Sequence, residues 1–377
     1  MSLFVSKAQA NFPEPRGSRP TLPTSNFLHA RRKLPPSTVF TPASRATTKR
    51  VALLCLWLLA LCGGVGAQER RREAASLFPV RQDGKWGYID RAGKLVVRPQ
   101  YDVAWEFTEG LAYVKAGGVR GLIDRSGKMV VNLQQVDLAG LFSEGLAPVQ
   151  TGSQPPRFGF IDRTGKLVIN PQYDAARGFA EGLALVMVEG KYGFIDKRGR
   201  MIVKPRFDKA ANFSEGLAAV VIDNKHGYID RSGRLVIAAQ YNNAYNFSEG
   251  LAAVATGGRY ACINKRGETI IQPQPGYVGA FAEGLAPIIV NNRFGYLNRA
   301  ALAVIAPQYD WTGGFNEGLA LVKIGGKFGF INRTGAVAVR PQFDTAHNFN
   351  GGLARVGLAG KQGYIDKTGN FVWKPTK

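Results

Sequence analysis

The sequence predicts an all-β protein in which a three-stranded unit of 34 residues is repeated nine times and stacked into an open, curved array. Three observations carry this reading. A glycine stands at 87, 121, 159, 193, 227, 295, 329 and 363, with Ala261 in its place once, and every interval is 34 except the 38 between Gly121 and Gly159. A Leu precedes each of these positions, at Leu77, Leu111, Leu146, Leu183, Leu217, Leu251, Leu285, Leu319 and Leu353. A fixed period of this length denotes a repeat architecture. The third observation is content: each copy has three or four Gly and short β-favouring runs such as Leu95-Val96-Val97 and Met201-Ile202-Val203. The helical tetratricopeptide repeat shares the period, but each Gly costs a helix interior about 1 kcal/mol relative to Ala, which excludes a helical hairpin here.

Ahead of the array the composition changes. Residues 1–50 hold many Pro, Ser, Thr, Arg and Lys against the single acid Glu14 and show no period. That composition describes a disordered basic extension. Val51 to Cys62 is an apolar run preceded by Lys49-Arg50 and followed by Val65-Gly66-Ala67. It is too short to span a bilayer as a helix, and its flanks are those of a secretory signal cleaved after Ala67. Residues 51–67 are therefore the expected signal core and cleavage site. The mature chain is expected to be exported, to the periplasm or the exterior, with no transmembrane helix. A signal ending at 67 is longer than the usual 15–30 residues; initiation at a non-Met codon near Val39 would restore an ordinary length. A transit peptide is the rival reading, against which the apolar run argues. Lipid anchoring at Cys62 is disfavoured by the bulky Leu61, and Arg31-Arg32 lies far from the apolar run for twin-arginine export.

Residues 75–377 form the nine copies, the last truncated. Within a copy the first strand covers Leu77 to Val80 and the second Lys85 to Asp90. The segment Asp90-Arg91-Ala92-Gly93-Lys94 is a turn, opened by an Asp that bonds its own backbone and closed by a Gly in the left-handed region. A third strand follows from Lys94 to Arg98. The next segment, Pro99 to Asp102, opens with a Pro that lacks an amide donor and so leads out of the ladder, through a loop with room for one helical turn, to a Phe at 107, 142, 179, 213, 247, 281, 315 and 349. A single aromatic per unit reads as a core plug sealing neighbours together.

These motifs resemble those of the bacterial WG-repeat proteins, whose signature is an aromatic-Gly-Tyr/Phe-Ile-Asp hairpin followed by Pro-Gln-Tyr-Asp and Glu-Gly-Leu-Ala segments. The resemblance covers about Ala75 to Lys377, although Trp itself stands only at Trp86. It implies an all-β tandem array acting as a binding or scaffold module, and no common reaction. The first copy starts on its first strand and the last stops after its third, so no unit is split between the ends, and nine units exceed the usual four to eight blades of a propeller. An open array with capping end units is therefore expected; a closed propeller-like ring is the alternative.

Charge is positioned as well as abundant. Of the net +22, the first 67 residues contribute nine Lys or Arg against one acid, leaving +14 in the remainder. The residue after the turn Asp or Asn is basic in all nine copies: Arg91, Arg125, Arg163, Lys197, Arg231, Lys265, Arg299, Arg333 and Lys367. A second column lies two residues before the recurring Gly: Lys85, Arg157, Lys191, Lys225, Arg259, Arg293, Lys327 and Lys361. Stacked, these make two ladders of positive charge suited to an extended polyanion. The competing explanation is solubility of exposed hairpin tips. An acidic envelope polymer or an unidentified protein is the expected partner; nucleic acid fits the basic pI but is less available to an exported protein. A scaffold role would use variable positions such as Tyr113, Leu185, Leu321 and Arg355.

No catalytic, cofactor-binding or metal-binding residues are expected. His29, His226 and His347 are scattered without metal-ligand spacing, and the recurring acids belong to the structural unit. A hydrolase is the lesser reading. Beyond the signal only Cys262 remains, read as a small buried apolar residue.

Overall fold

The computed structural model describes residues 76–133 and 136–376, and they form nine antiparallel sheets. The extension and signal expected over residues 1–67 lie outside the described residues. Eight sheets have four strands and one has three. We number the sheets as blades 1 to 9 in chain order. Blade 1 runs from Phe78–Gln82 to Leu95–Tyr101 and is the three-stranded one. Blade 2 begins at Val103–Ala104, blade 3 at Val136–Leu138, blade 4 at Ala175–Ala176 and blade 5 at Lys209–Ala210. Blades 6 to 9 begin at Asn243–Ala244, Tyr277–Val278, Trp311–Asn316 and Thr345–Ala346.

Blade 5 shows the plan: a two-residue first strand, Lys209–Ala210, then Ala218–Ile222, Lys225–Ile229 and Leu235–Tyr241, each paired with the next. The short first strand replaces the helical turn expected after the Pro-Gln-Tyr-Asp segment. It pairs at only two residues, Lys209 with Val221 and Ala210 with Val220, so it has no periodic pattern to announce it.

The recurring Gly is explained at the outer strand. In blade 1, Tyr88 pairs with Val97 but Ile89 pairs with Leu95, a bulge that turns Leu95 and Val96 outward together. The bulged strand presses on Gly87, where a Cβ would lie 2.5 Å from the Val97 carbonyl oxygen and 2.6 Å from the Pro99 nitrogen. Blade 6 carries Ala261 at this position and its register differs: Tyr260 pairs with Gln274, whereas Trp86 pairs with Tyr101.

The cores lie between blades. Tyr228 of blade 5 and Phe247 of blade 6 meet with ring centroids 4.9 Å apart, inside one cluster with Leu217, Ile237, Val254 and Ile263. The same contact recurs as Tyr88–Phe107, Phe160–Phe179, Phe194–Phe213, Tyr296–Phe315 and Phe330–Phe349, at 4.7–5.0 Å. The recurrent Phe is thus the plug between neighbours, each burial worth about 1.5–3 kcal/mol.

The array closes into a nine-bladed propeller ring, which corrects the expectation of an open stack. Phe78 of blade 1 packs on Tyr364 of blade 9 with centroids 5.5 Å apart, within a cluster of Val80, Ile89 and Leu353. The Tyr364 hydroxyl donates to the Pro79 carbonyl at 3.0 Å. Among the described residues no strand is exchanged at this seam. The end units have no need to act as caps, because each presents the interface the other lacks. Joining them buries apolar surface that an open array would leave in water at both ends.

Candidate binding surface

Antiparallel strands reverse direction at every connection, so the turns joining strands one to two and three to four of a blade share one face of the ring. The hairpins joining strands two to three, and the crossings between blades, share the other. The two basic columns therefore sit on opposite faces.

On the first face, the Glu-Gly pairs are two-residue turns with both residues at positive φ, as at Glu215 (54°) and Gly216 (86°). Such turns favour Asn or Gly, and placing Glu there costs ~1–2 kcal/mol. A bond to the neighbouring blade offsets this cost. Glu109, Glu144, Glu181, Glu215, Glu249, Glu283 and Glu317 each accept a hydrogen bond from the matching Gly amide of the following blade, at 2.8–3.1 Å. Burial opposes ionisation of Glu215, but the Gly250 amide and the Lys265 ammonium outweigh it and hold the carboxyl below its ordinary value. In blade 9 the position is Gly351, with no Glu.

The turn cations reach back over these same turns. Lys197, Lys265 and Lys367 pair with Glu144, Glu215 and Glu317 of the preceding blade at 3.1–3.2 Å. Arg163, Arg231, Arg299 and Arg333 lie over Gly110, Gly182, Gly250 and Gly284, their guanidinium ends 3.2–3.6 Å from where a Cβ would stand. Arg91 lies against Gly352, carrying the same contact across the seam. Arg125 faces blade 1, which has Ser76 where the other blades have this Gly, and both residues line a cavity.

The second column is largely occupied in ion pairs on the opposite face. Lys85, Lys191 and Lys327 pair with Asp102, Asp208 and Asp344 at 2.5 Å, and Arg157 and Arg293 pair with Asp174 and Asp310. The second oxygen of these Asp side chains accepts a hairpin amide, as from Gly117 to Asp102 at 3.0 Å and from Ala359 to Asp344 at 2.7 Å. The bond to Lys85, then the Gly117 amide, hold Asp102 below its ordinary value. Arg259 donates to the Pro273 carbonyl at 2.9 Å. Lys225 and Lys361 flank the matching hairpins of blades 5 and 9, and for Lys225 the acid is replaced by Asn242. The fixed 17-residue spacing between cation and Asp was the sequence signal for these pairs.

A further cation closes the turn in blades 1 to 5 only: Lys94, Lys128, Lys166, Arg200 and Arg234, all exposed. Blades 6 to 9 have Glu268, Leu302, Ala336 and Asn370 there. The turn face is thus doubly basic along one continuous arc. A search for columns shared by every copy passes over this one, because its content lies in how the copies differ.

Eight tandem matches to the model of the WG containing repeat cover residues 86–119, 121–153, 158–192, 192–225, 227–260, 260–294, 294–328 and 328–361. The chain belongs to this repeat family. No curated protein matches the sequence of this WG-repeat ring. Among solved structures, the crystal structure of a eukaryotic initiation factor is similar in fold, with TM-score 0.60 and 12% identity over 80% of this chain and 96% of that one. PorZ, a bacterial surface component of the type-IX secretion system of Porphyromonas gingivalis, aligns with TM-score 0.33 and 12% identity over 72% of this chain and 44% of that one. The extracellular domain of a putative hybrid two-component system from B. thetaiotaomicron aligns at 0.31 and 11% identity over 80% and 56%.

Other positions in the WG-repeat ring take structural roles. Leu185 and Leu321, expected on a variable contact face, are buried to 1% and 5% exposure in inter-blade cores; their size tunes packing. Burial pushes the Cys262 thiol up to about 12. Burial first, then Lys209 for His226 and Arg355 for His347, lower both imidazoles. Among the described residues, no group of three His, Cys, Asp or Glu is arranged to hold a metal ion, and no helix is long and apolar enough to cross a membrane.

Proposed function

We propose that this ring is an exported, non-enzymatic binding protein whose turn face holds an extended anionic polymer along blades 1 to 5. The observation that carries the reading is the arc of doubled turn cations, Arg91 with Lys94 through Arg231 with Arg234, exposed on five consecutive blades. Structural pairing accounts for much of the opposite column, and the first cation of each turn reaches to the preceding blade, but the second, Lys94, Lys128, Lys166, Arg200 and Arg234, stays exposed: Arg200 and Arg234 lean on their own turn Asp, at 68% and 78% exposure. Paired surface charges of that exposure contribute little to stability. Regularly spaced, exposed cations attract a polymer of regularly spaced anions, and the attraction weakens with salt. Acidic envelope polymers are the partner class that export makes available, the export itself resting on the signal read over residues 51–67.

Retention of the purified protein on immobilised alginate and polyphosphate, with dextran as the neutral control, tests this. Binding to the acidic matrices should fall steeply as salt rises, and the double variant Lys166→Glu/Arg234→Glu should weaken it by roughly 10-fold or more. Retention equal on dextran, or unchanged in the double variant, overturns the reading.

A further inference from the structure

The bulge in the outer strand does more than crowd the recurring Gly. In blade 1 it falls between the Tyr88–Val97 and Ile89–Leu95 pairs, and in blade 5 between the Tyr228–Ile237 and Ile229–Leu235 pairs. The residue between the two pairings, Val96 or Val236, is left outside the register, and bulges re-aim side chains in this way. The first two residues of the outer strand are therefore exposed together, from Leu95-Val96 in blade 1, through Leu167-Val168 in blade 3, to Leu235-Val236 in blade 5. All ten such residues in blades 1 to 5 are large and apolar, at 36–45% exposure. Single exposed apolar residues need no explanation; ten in register along one arc do.

Each pair directly follows the second turn cation, as Leu167 follows Lys166 and Leu235 follows Arg234. Both columns break at the same place. In blades 6 to 9 the cation gives way to Glu268, Leu302, Ala336 or Asn370. The pair there includes the smaller or polar Thr269, Ala303 or Ala338, or in blade 9 a partly buried Val372. Two adjacent columns that change together at one blade boundary point to a partner that uses both charge and apolar surface. A wholly hydrophilic polymer would use the cations and leave the pairs in water.

The geometry suits a lipid interface. The turns share one face of the ring, so the five cations can meet one plane. Each apolar pair begins one residue past its cation and covers about 7 Å of strand at ~3.3 Å per residue. That length matches the depth of about 5–10 Å to which amphipathic surface elements enter the boundary between head groups and acyl chains. Lys and Arg hold their charged ends at the polar level while their stems lie along apolar surface.

We infer that blades 1 to 5 seat on a lipid surface of negative charge, with the apolar pairs in the interface and the second turn cations against head-group phosphates. The inference rests on the proposed use of those cations and narrows the partner: the anion they meet is carried on lipid.

The test is co-sedimentation of the purified protein with vesicles of phosphatidylglycerol and phosphatidylcholine, with vesicles of phosphatidylcholine alone as the neutral control. The protein should sediment with the anionic vesicles only. The double variant Leu167→Ser/Leu235→Ser should weaken that binding by roughly 10-fold or more through lost apolar burial, while its retention on polyphosphate stays unchanged and so reports an intact fold. Val304→Ser, in blade 7 outside the arc, should bind vesicles as the unaltered protein does. Equal binding to phosphatidylcholine, or full vesicle binding by the double Ser variant, overturns the inference. Self-association without lipid that the same two substitutions abolish would assign the pairs to a second copy of the chain and also overturn it. Retention on polyphosphate without vesicle binding defeats this inference and leaves the polyanion reading standing; loss of both defeats the two together.

Discussion

Blades 2 to 9 and the seam around blade 1 solve the same packing problem with different means. The seven junctions among blades 2 to 9 each combine an inter-blade core with a Glu carboxylate bonded to the next Gly amide. The seam between blades 9 and 1 has the core and the Tyr364 to Pro79 bond, but Gly351 in place of Glu. The difference teaches that the ring closes without a Glu clamp at the seam, and that the carboxylates add a second layer where the repeat is intact. It also shows how strain is placed. Glu is kept at positive φ where its carboxylate receives the next Gly amide, and at the seam, where Ser76 stands in place of that Gly, the position is Gly351 at φ 60°.

The largest test of this contrast is removal of a plug. Phe247→Ala, at 1% exposure between blades 5 and 6, should destabilise the ring by about 3–5 kcal/mol, read as a shift in the urea midpoint. A change under about 1 kcal/mol would mean that the core is not what joins these blades. A smaller effect is expected at the seam, where Tyr364→Phe removes a buried hydrogen bond worth about 0.5–1.5 kcal/mol. Hydrogen exchange should then quicken in blades 1 and 9 and not in blade 5, whereas uniform quickening would show that the seam is no weaker than the rest.

The smallest effect is the response to acid. The Glu215 carboxyl lies below its ordinary value of 4.5 in the folded ring. Its stabilising contribution is therefore complete above that value and lost as the pH falls through the lower folded value. Exchange at the Gly250 amide should rise over that range, while the seam, which has no such carboxylate, should not respond through this route. Exchange at Gly250 that is flat down to pH 3 would remove the clamp from the account.

Much of this was legible in the residues. The 34-residue period, the β content, the Asx turns and the Phe plug all follow from local chemistry that recurs in register. Asp90 indeed accepts the Ala92 and Lys94 amides, each at 2.9 Å. The two-residue first strands were not legible, because Val103 and Ala104 carry no alternation and exist only by pairing with Lys115 and Val114. Closure was not legible either: it depends on Phe78 and Tyr364 fitting together across 285 positions from Pro79 to Tyr364, and no periodicity encodes the fit of two ends. At the candidate surface, periodicity found both basic columns but could not say which was occupied. The Lys85 to Asp102 pair joins residues 17 apart across a crossing between blades. The doubled arc is a departure from the repeat, visible only once the copies are compared column by column.

Closure without a shared strand also has a mechanical meaning. Residues 76 and 376 stand in neighbouring blades, on either side of the one junction that, among the described residues, no chain connection crosses. A force applied to the two ends of the ring would load that junction first, in the direction that separates its faces, before any ladder of backbone bonds is sheared. The ring would then behave as a split washer: it would spring open at a fixed place under low tension and lose its blades in turn from the ends only when pulled harder.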